Sequence, residues 1–211
     1  MTRGWPLAAG AGGLAAIWFA VASPVAHLDH HLLTAHMLQH LLLMVIAAPL
    51  LLLAGRNGRF LQQFRPHPAF CWLAGTLTVM VWHVPGVFEL ALQSPGWHLF
   101  EQATFFIAGI LFWLPVIEPM PNTPWLVPLY LFLATLPCDA LSAYLTFCDH
   151  VVYRAYLSPH GAFGLSPLED QTLAGAFMWV TVTFAYLFPA LILVTQLIAD
   201  EERRAIEGEV Y

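Results

Sequence analysis

The stretch DHHLLTAHMLQHLLLMVIAAPLLLLAG, Asp29 to Gly55, carries His30, His31, His36 and His40 and then runs into an apolar segment long enough to span a bilayer. His36 and His40 stand one helical turn apart. At roughly 100° per residue they share about a third of the circumference with Met37 and Met44. A stripe of imidazole and thioether is a ligand set that suits copper, and thioether sulfur favours Cu(I). Further along, His83 falls inside another apolar segment, His98 and Glu101 share a helix face, and so do Asp170, Ala174 and Met178. Asp139 sits beside Cys138. A charged side chain within hydrocarbon costs about 2.5–3.5 kcal/mol or more, so its position carries information.

His36, His40 and His83 are the first candidates for metal ligands, with Met37, Met44 and Met178 as soft ligands. His98, Glu101, Asp139 and Asp170 are alternative ligands or partners that orient them. Each also has a plainer reading. A lone membrane histidine such as His83 is ordinarily a helix-to-helix hydrogen-bond donor, and the methionines alone would be packing residues. Asp139 equally suits the backbone groups freed by Pro137, while His27, His30 and His31 either form a polar loop or collect metal. The His36/His40 pair on a methionine stripe is what favours a metal.

The elements that must position these residues follow from composition. Of 211 residues, 59% are hydrophobic and 9% charged, against about 25% charged in ordinary soluble domains. Mean hydropathy is +0.70. The chain reads as an all-α, polytopic transmembrane helix bundle. Windows of about 20 apolar residues predict six spans, Pro6 to Val25, Ala35 to Ala54, Ala69 to Leu92, Leu99 to Val116, Trp125 to Phe147 and Leu173 to Ile198. Residues 1–198 thus form one membrane domain, and 199–211 a short acidic cytoplasmic tail. Pro137 lies well inside the fifth span, where a kink is expected.

All 7 basic residues are arginine, the net charge is −6, and no basic cluster points to nucleic acid. Arg3, Arg56, Arg59, Arg65, Arg203 and Arg204 lie where both termini would be cytoplasmic, and only Arg154 falls in an outside loop. On that topology the ionisable and metal-binding side chains collect in the outer half of the membrane, as one outward-opening pocket requires. Arg3, an apolar run and Ala20-Val21-Ala22 also fit a secretory signal peptide, although a retained helix is the favoured reading. Cys71, Cys138 and Cys148 include no Cys-x-x-Cys pair. Cys138 and Cys148 would stand about 15 Å apart along one helix, too far to bridge, so neither a disulfide framework nor a thiolate cage is expected. Glu101-Gln102 followed by Ala108-Gly109, and Asp170-Gln171 followed by Ala174-Gly175, form a possible internal repeat. The Ala-Gly pairs more simply mark close helix packing.

With these residues in view the sequence resembles the CtaG family of caa(3)-type cytochrome c oxidase assembly factors, multi-span bacterial membrane proteins. The likeness rests on His36-Met37-Leu38-Gln39-His40 with Pro49-Leu50-Leu51, Trp82-His83-Val84-Pro85, His98-Leu99-Phe100-Glu101 leading to Phe112-Trp113, and Asp170-Gln171 with Ala174-Gly175 and Met178-Trp179. It covers about His27 to Ile198. One departure is Gln102, at a position where the family pattern often has histidine. The resemblance implies a non-catalytic role in maturing a haem-copper terminal oxidase in the bacterial inner membrane, with oxidase subunits and the lipid bilayer as partners and copper as cargo. Three other readings stay open: an electron-transfer subunit with a bis-histidine haem such as His40 with His83, a membrane metal-dependent enzyme, and a purely structural partner of the oxidase.

Overall fold

In the structure, a computed structural model, residues 4–24, 26–56, 58, 66–119, 123–157 and 164–209 are described. Arg3, Val25, Arg59 and Arg65, used above to place spans and loops, lie outside them. The described residues form helices α1 (Gly4–Ala22), α2 (Leu33–Gly55), α3 (Pro68–Trp82), α4 (Pro85–Gln93), α5 (Pro95–Ile117), α6 (Leu126–Phe147) and α7 (Pro167–Glu209). Among the described residues five candidate spans are long and apolar enough to cross a membrane, or six if the bent pair α3 and α4 counts as one. The chain is therefore a membrane-spanning helix bundle. Its surface agrees: Leu7, Leu77, Phe132, Phe184 and Phe188 are exposed, while His36, Glu101 and Asp170 are buried.

The third predicted span differs from a straight helix. α3 and α4 meet at 78°, and the break has a local cause. Pro85 has no N–H to give to the turn before it, and its ring pushes Val84 out of helical geometry, here to φ −65° and ψ 125°. His83 thereby caps the C-terminus of α3, just past Trp82, rather than standing inside a span. The last helix begins earlier than its predicted span. It runs for 43 residues, starting six before the predicted Leu173 and continuing through the acidic tail.

α2 lies against α1, α5 and α7, and α6 packs along α7. The buried residues of α1 are all small, Ala9, Gly13, Ala16 and Ala20, which lets it approach α2 closely. Within α2, Leu42–Ala47 is a π-helical turn. Such a turn displaces carbonyls from the regular ladder, and the Met44 carbonyl accepts a hydrogen bond from Trp113 Nε1 at 3.0 Å. α5 presses on this turn at Gly109, where a Cβ would stand 2.9 Å from Met44 Cα. Gly175 plays the same part between α7 and α6, with a Cβ there falling 2.6 Å from Thr146 Oγ1. Both members of the suspected repeat thus stand at close helix approaches.

Candidate metal centre

The position of α2 is set from outside the helix. Leu32, its N-cap residue, offers no side-chain bond, and the first N–H groups of a helix need acceptors. Asp170 of α7 supplies them. Its Oδ2 accepts from Leu33 N at 2.6 Å and its Oδ1 from Thr34 N at 3.2 Å and Thr34 Oγ1 at 2.6 Å. This borrowed cap fixes where α2 begins, and so where His36 and His40 stand one and two turns later. Next to it, Gln171 ties down the loop between α6 and α7, accepting from Val152 N at 2.7 Å and donating to the His150 carbonyl at 3.0 Å.

Glu101 of α5 is the centre of the cluster. Its Oε1 lies 3.3 Å from His36 Nε2 and 3.4 Å from His40 Nε2, and its Oε2 lies 3.4 Å from His98 Nδ1. Two ligands each about 2.0–2.1 Å from a common tetrahedral ion stand about 3.3–3.4 Å apart. The distance from the carboxylate oxygen to each α2 imidazole is therefore that of an edge of a coordination tetrahedron. His36, His40 and Glu101 offer ligand atoms all within 4.8 Å of one another, and so do Asp29, His36 and His98. His36 belongs to both groups.

His36 Nδ1, both nitrogens of His40, His98 Nδ1 and Glu101 Oε2 are buried without a hydrogen-bond partner. Among the described residues only two other buried side-chain atoms, Trp72 Nε1 and Ser142 Oγ, share that condition. Three of the five, His40 Nε2, His98 Nδ1 and Glu101 Oε2, lie 3.4 Å from a partner within the cluster, too far apart and misaligned for a hydrogen bond. An unmade bond at a buried polar group costs about 1–3 kcal/mol, so this loose arrangement is expensive unless a cation completes it. The set of imidazole nitrogens and carboxylate oxygens fits a first-row transition ion.

Asp29 was not among the sequence-derived candidates, yet it forms the rim of the site. Its Oδ2 is 2.9 Å from His98 Nε2 and accepts from Gln39 Nε2 at 3.1 Å. Burial alone would raise the Asp29 carboxyl, but the bond with His98 and the charges of His98 and His30 hold it below its ordinary value. The signal available in the sequence was its place at the head of the histidine run, seven residues before His36. Gln102, the departure from the family pattern, is buried and places its amide 2.7 Å from His98 Nε2 and 3.4 Å from Gln39 Oε1. It supports His98 rather than facing Glu101.

The walls are aromatic. Phe105 stacks on His40 at 3.8 Å, and Phe88 of α4 lies 4.8 Å from His36 and 3.9 Å from Tyr153. His30 is exposed, with its ring 5.7 Å from that of His98. His27 and His31 are exposed as well. His83 stands deeper, its ring 6.3 Å from that of His40 and its Nε2 3.3 Å from Met37 Sδ. Met37, Met44, Met178, His40 and His83 line one common cavity. Asp139 is not brought to the cluster; its Oδ1 accepts from Thr183 Oγ1 at 3.3 Å. Asp170 is nearby, but both its oxygens are taken by α2.

The profile of the cytochrome c oxidase caa3 assembly factor family matches residues 2–200, nearly the whole chain. The chain belongs to this family. The resemblance read from the sequence is thereby borne out, and the buried cluster is a feature of a caa3 oxidase assembly factor. No curated protein and no solved structure matches the chain.

Proposed function

We propose that this assembly factor holds copper as cargo at the His36–His40–Glu101 cluster, with His98 and Asp29 at its entrance, and passes it to subunits of a haem-copper oxidase. The protein sits in the bacterial inner membrane with both termini in the cytoplasm, so the cluster opens toward the periplasmic side. The observation that carries this reading is three imidazoles gathered at 3.3–3.4 Å around one buried carboxylate, with five polar atoms of the cluster lacking a hydrogen bond. A set of protein dipoles and charges built only to pair internally would close such contacts into aligned hydrogen bonds. Copper is favoured over zinc because thioethers lie directly behind the imidazoles, and thioether ligation selects Cu(I).

Within this scheme Glu101 supplies the negative charge that draws a cation into hydrocarbon, and the two α2 imidazoles hold it. Asp29 and Gln102 orient His98, which stands between the exposed His30 and the buried carboxylate. A bis-histidine haem between His40 and His83 is disfavoured, because the cavity they share is about 30 Å³ while ordinary small-molecule sites span about 300–1,000 Å³.

The test is copper content and absorption of detergent-purified protein loaded anaerobically with Cu(I), for wild type and for His36→Ala/His40→Ala. Copper held by wild type and lost from a folded double variant, with no Soret band, is the expected result. Wild-type protein that retains no metal under any loading condition would leave a structural partner of the oxidase as the better account.

A further inference from the structure

Behind the imidazole–carboxylate cluster the bundle closes around a compartment of different chemistry. Its volume is about 30 Å³, and its lining includes Met37 and Met44 of α2, His83 at the end of α3, Cys138 of α6, Met178 of α7 and His40. Room for one water needs about 10–15 Å³, so the compartment takes a guest of one or two atoms. Methionines in a membrane bundle are ordinarily packing residues. Here one contact separates them from that role.

His83 Nδ1 lies 2.7 Å from the Val79 carbonyl. A carbonyl only accepts, so Nδ1 carries the proton and Nε2 bears the lone pair. That lone pair faces Met37 Sδ at 3.3 Å, and a thioether has no hydrogen to offer. Two electron-pair donors are thus held face to face in a buried site, with no proton between them. Nitrogen and sulfur ligands about 2.0 and 2.3 Å from a shared tetrahedral ion would stand about 3.5 Å apart. The pair has the separation of two ligands of one ion. Met44, Met178 and Cys138 add two more thioethers and a thiol from three helices, all buried. The hard carboxylates Asp29 and Glu101 are not among the lining residues.

We infer that this compartment is a second metal site, selective for a soft monovalent ion, which in a copper-handling protein is Cu(I). It deepens the reading proposed above and rests on it. His40 borders both sites, lying 3.4 Å from Glu101 Oε1 through its Nε2 and lining the thioether compartment with its ring. An ion therefore passes from one to the other by ligand exchange at His40, without change of oxidation state and without leaving the protein. The cluster nearer the surface, rich in oxygen and nitrogen, accepts the harder ions as well; the thioether compartment refuses them. Cys138, which sequence spacing left outside any ligand set, becomes a ligand candidate.

The experiment uses the full chain in detergent, anaerobically, with Ag(I) as a redox-inert soft ion, Zn(II) as a hard one, and Cu(I) for X-ray absorption at the copper edge. The variants are Met44→Leu/Met178→Leu, which conserves volume, and His36→Ala/Glu101→Gln. The methionine pair should bind Ag(I) about 100-fold or more weakly, beyond what loss of a supporting residue gives, lose copper–sulfur scattering, and keep Zn(II) affinity unchanged. The His36/Glu101 pair should lose Zn(II) and keep Ag(I). Unchanged Ag(I) affinity in the methionine pair, or loss of both ions in the His36/Glu101 pair, would overturn the second site while leaving copper at the first intact. No Cu(I) or Ag(I) bound by wild type would remove both readings together. Should the methionine pair not fold, the wild-type spectrum decides: copper–sulfur scattering supports the compartment, and a shell of nitrogen and oxygen alone refutes it.

Discussion

Glu101 is fully buried and faces three imidazoles, two of them from α2 and one from its own helix. Its charge is the term that makes the pocket attractive to a cation, since an amide of the same shape presents half the acceptor capacity and no charge. Glu101→Gln should therefore weaken binding at this cluster, read with Zn(II), by at least about 100-fold, at the upper end of losses known for residues around a metal. An anaerobic competition titration against a chelator reads the change. Asp29→Asn should be milder, about tenfold, because Asp29 reaches the inner cluster through His98. Equal losses in the two variants would mean that Asp29 is itself a ligand. This residue also marks the limit of reading by spacing. Donors on a helix announce themselves through periodicity, whereas Asp29 sits in the short connection before α2, and its meeting with His98 depends on how α5 packs.

At the scale of elements, the placement of the site depends on two devices that no residue pattern within a single span encodes. One is the cap of α2 by Asp170. A hydrogen bond to a charged group contributes about 1.5–3 kcal/mol, and asparagine keeps only one of the two accepting oxygens. Asp170→Asn should lower unfolding stability by about 1.5 kcal/mol, seen as a reduced thermal midpoint in detergent, and should weaken copper binding in step as α2 shifts. Undiminished stability would show that the start of α2 is held by its neighbours alone. The other device is the contact of Gly109 with the π turn. A Cβ there meets the Met44 backbone at 2.9 Å, and backbone cannot rotate away as a side chain does. Gly109→Ala should cost about 1–3 kcal/mol by the same measurement.

Hydropathy alone placed the cores of the spans, and α2, α5 and α6 begin and end within four residues of the expected limits. It could not show that Pro85 turns the third span by 78°, because both halves are apolar. The donors His36, His40, His98 and Glu101 were legible from their cost in hydrocarbon. The same argument selected Asp139, whose partner turned out to be Thr183. Expense locates polar residues but does not say which of several partners each one finds.

For the whole molecule, the functional question is which side of the membrane the cluster faces. The bundle is polar at both ends. Asp29, His30 and His98 gather at one, while Arg56 pairs with Glu118 at 3.2 Å and Trp125 with Glu201 at 3.2 Å at the other. On the proposed orientation, in which an excess of arginine marks the cytoplasmic side, the donor cluster would face outward, where the proposed cargo would be handed to an oxidase. The three cysteines provide an internal test of this direction. Cys71 and Cys138 are buried, and only Cys148, in the loop held by Gln171 at the end of the bundle bearing the cluster, is partly exposed. A membrane-impermeant maleimide added to intact spheroplasts should label the chain once, and Cys148→Ser should abolish the label. Labelling that appears only after the membrane is opened would place His30 and Asp29 in the cytoplasm and reverse the route of the cargo, even if every ligand assignment held.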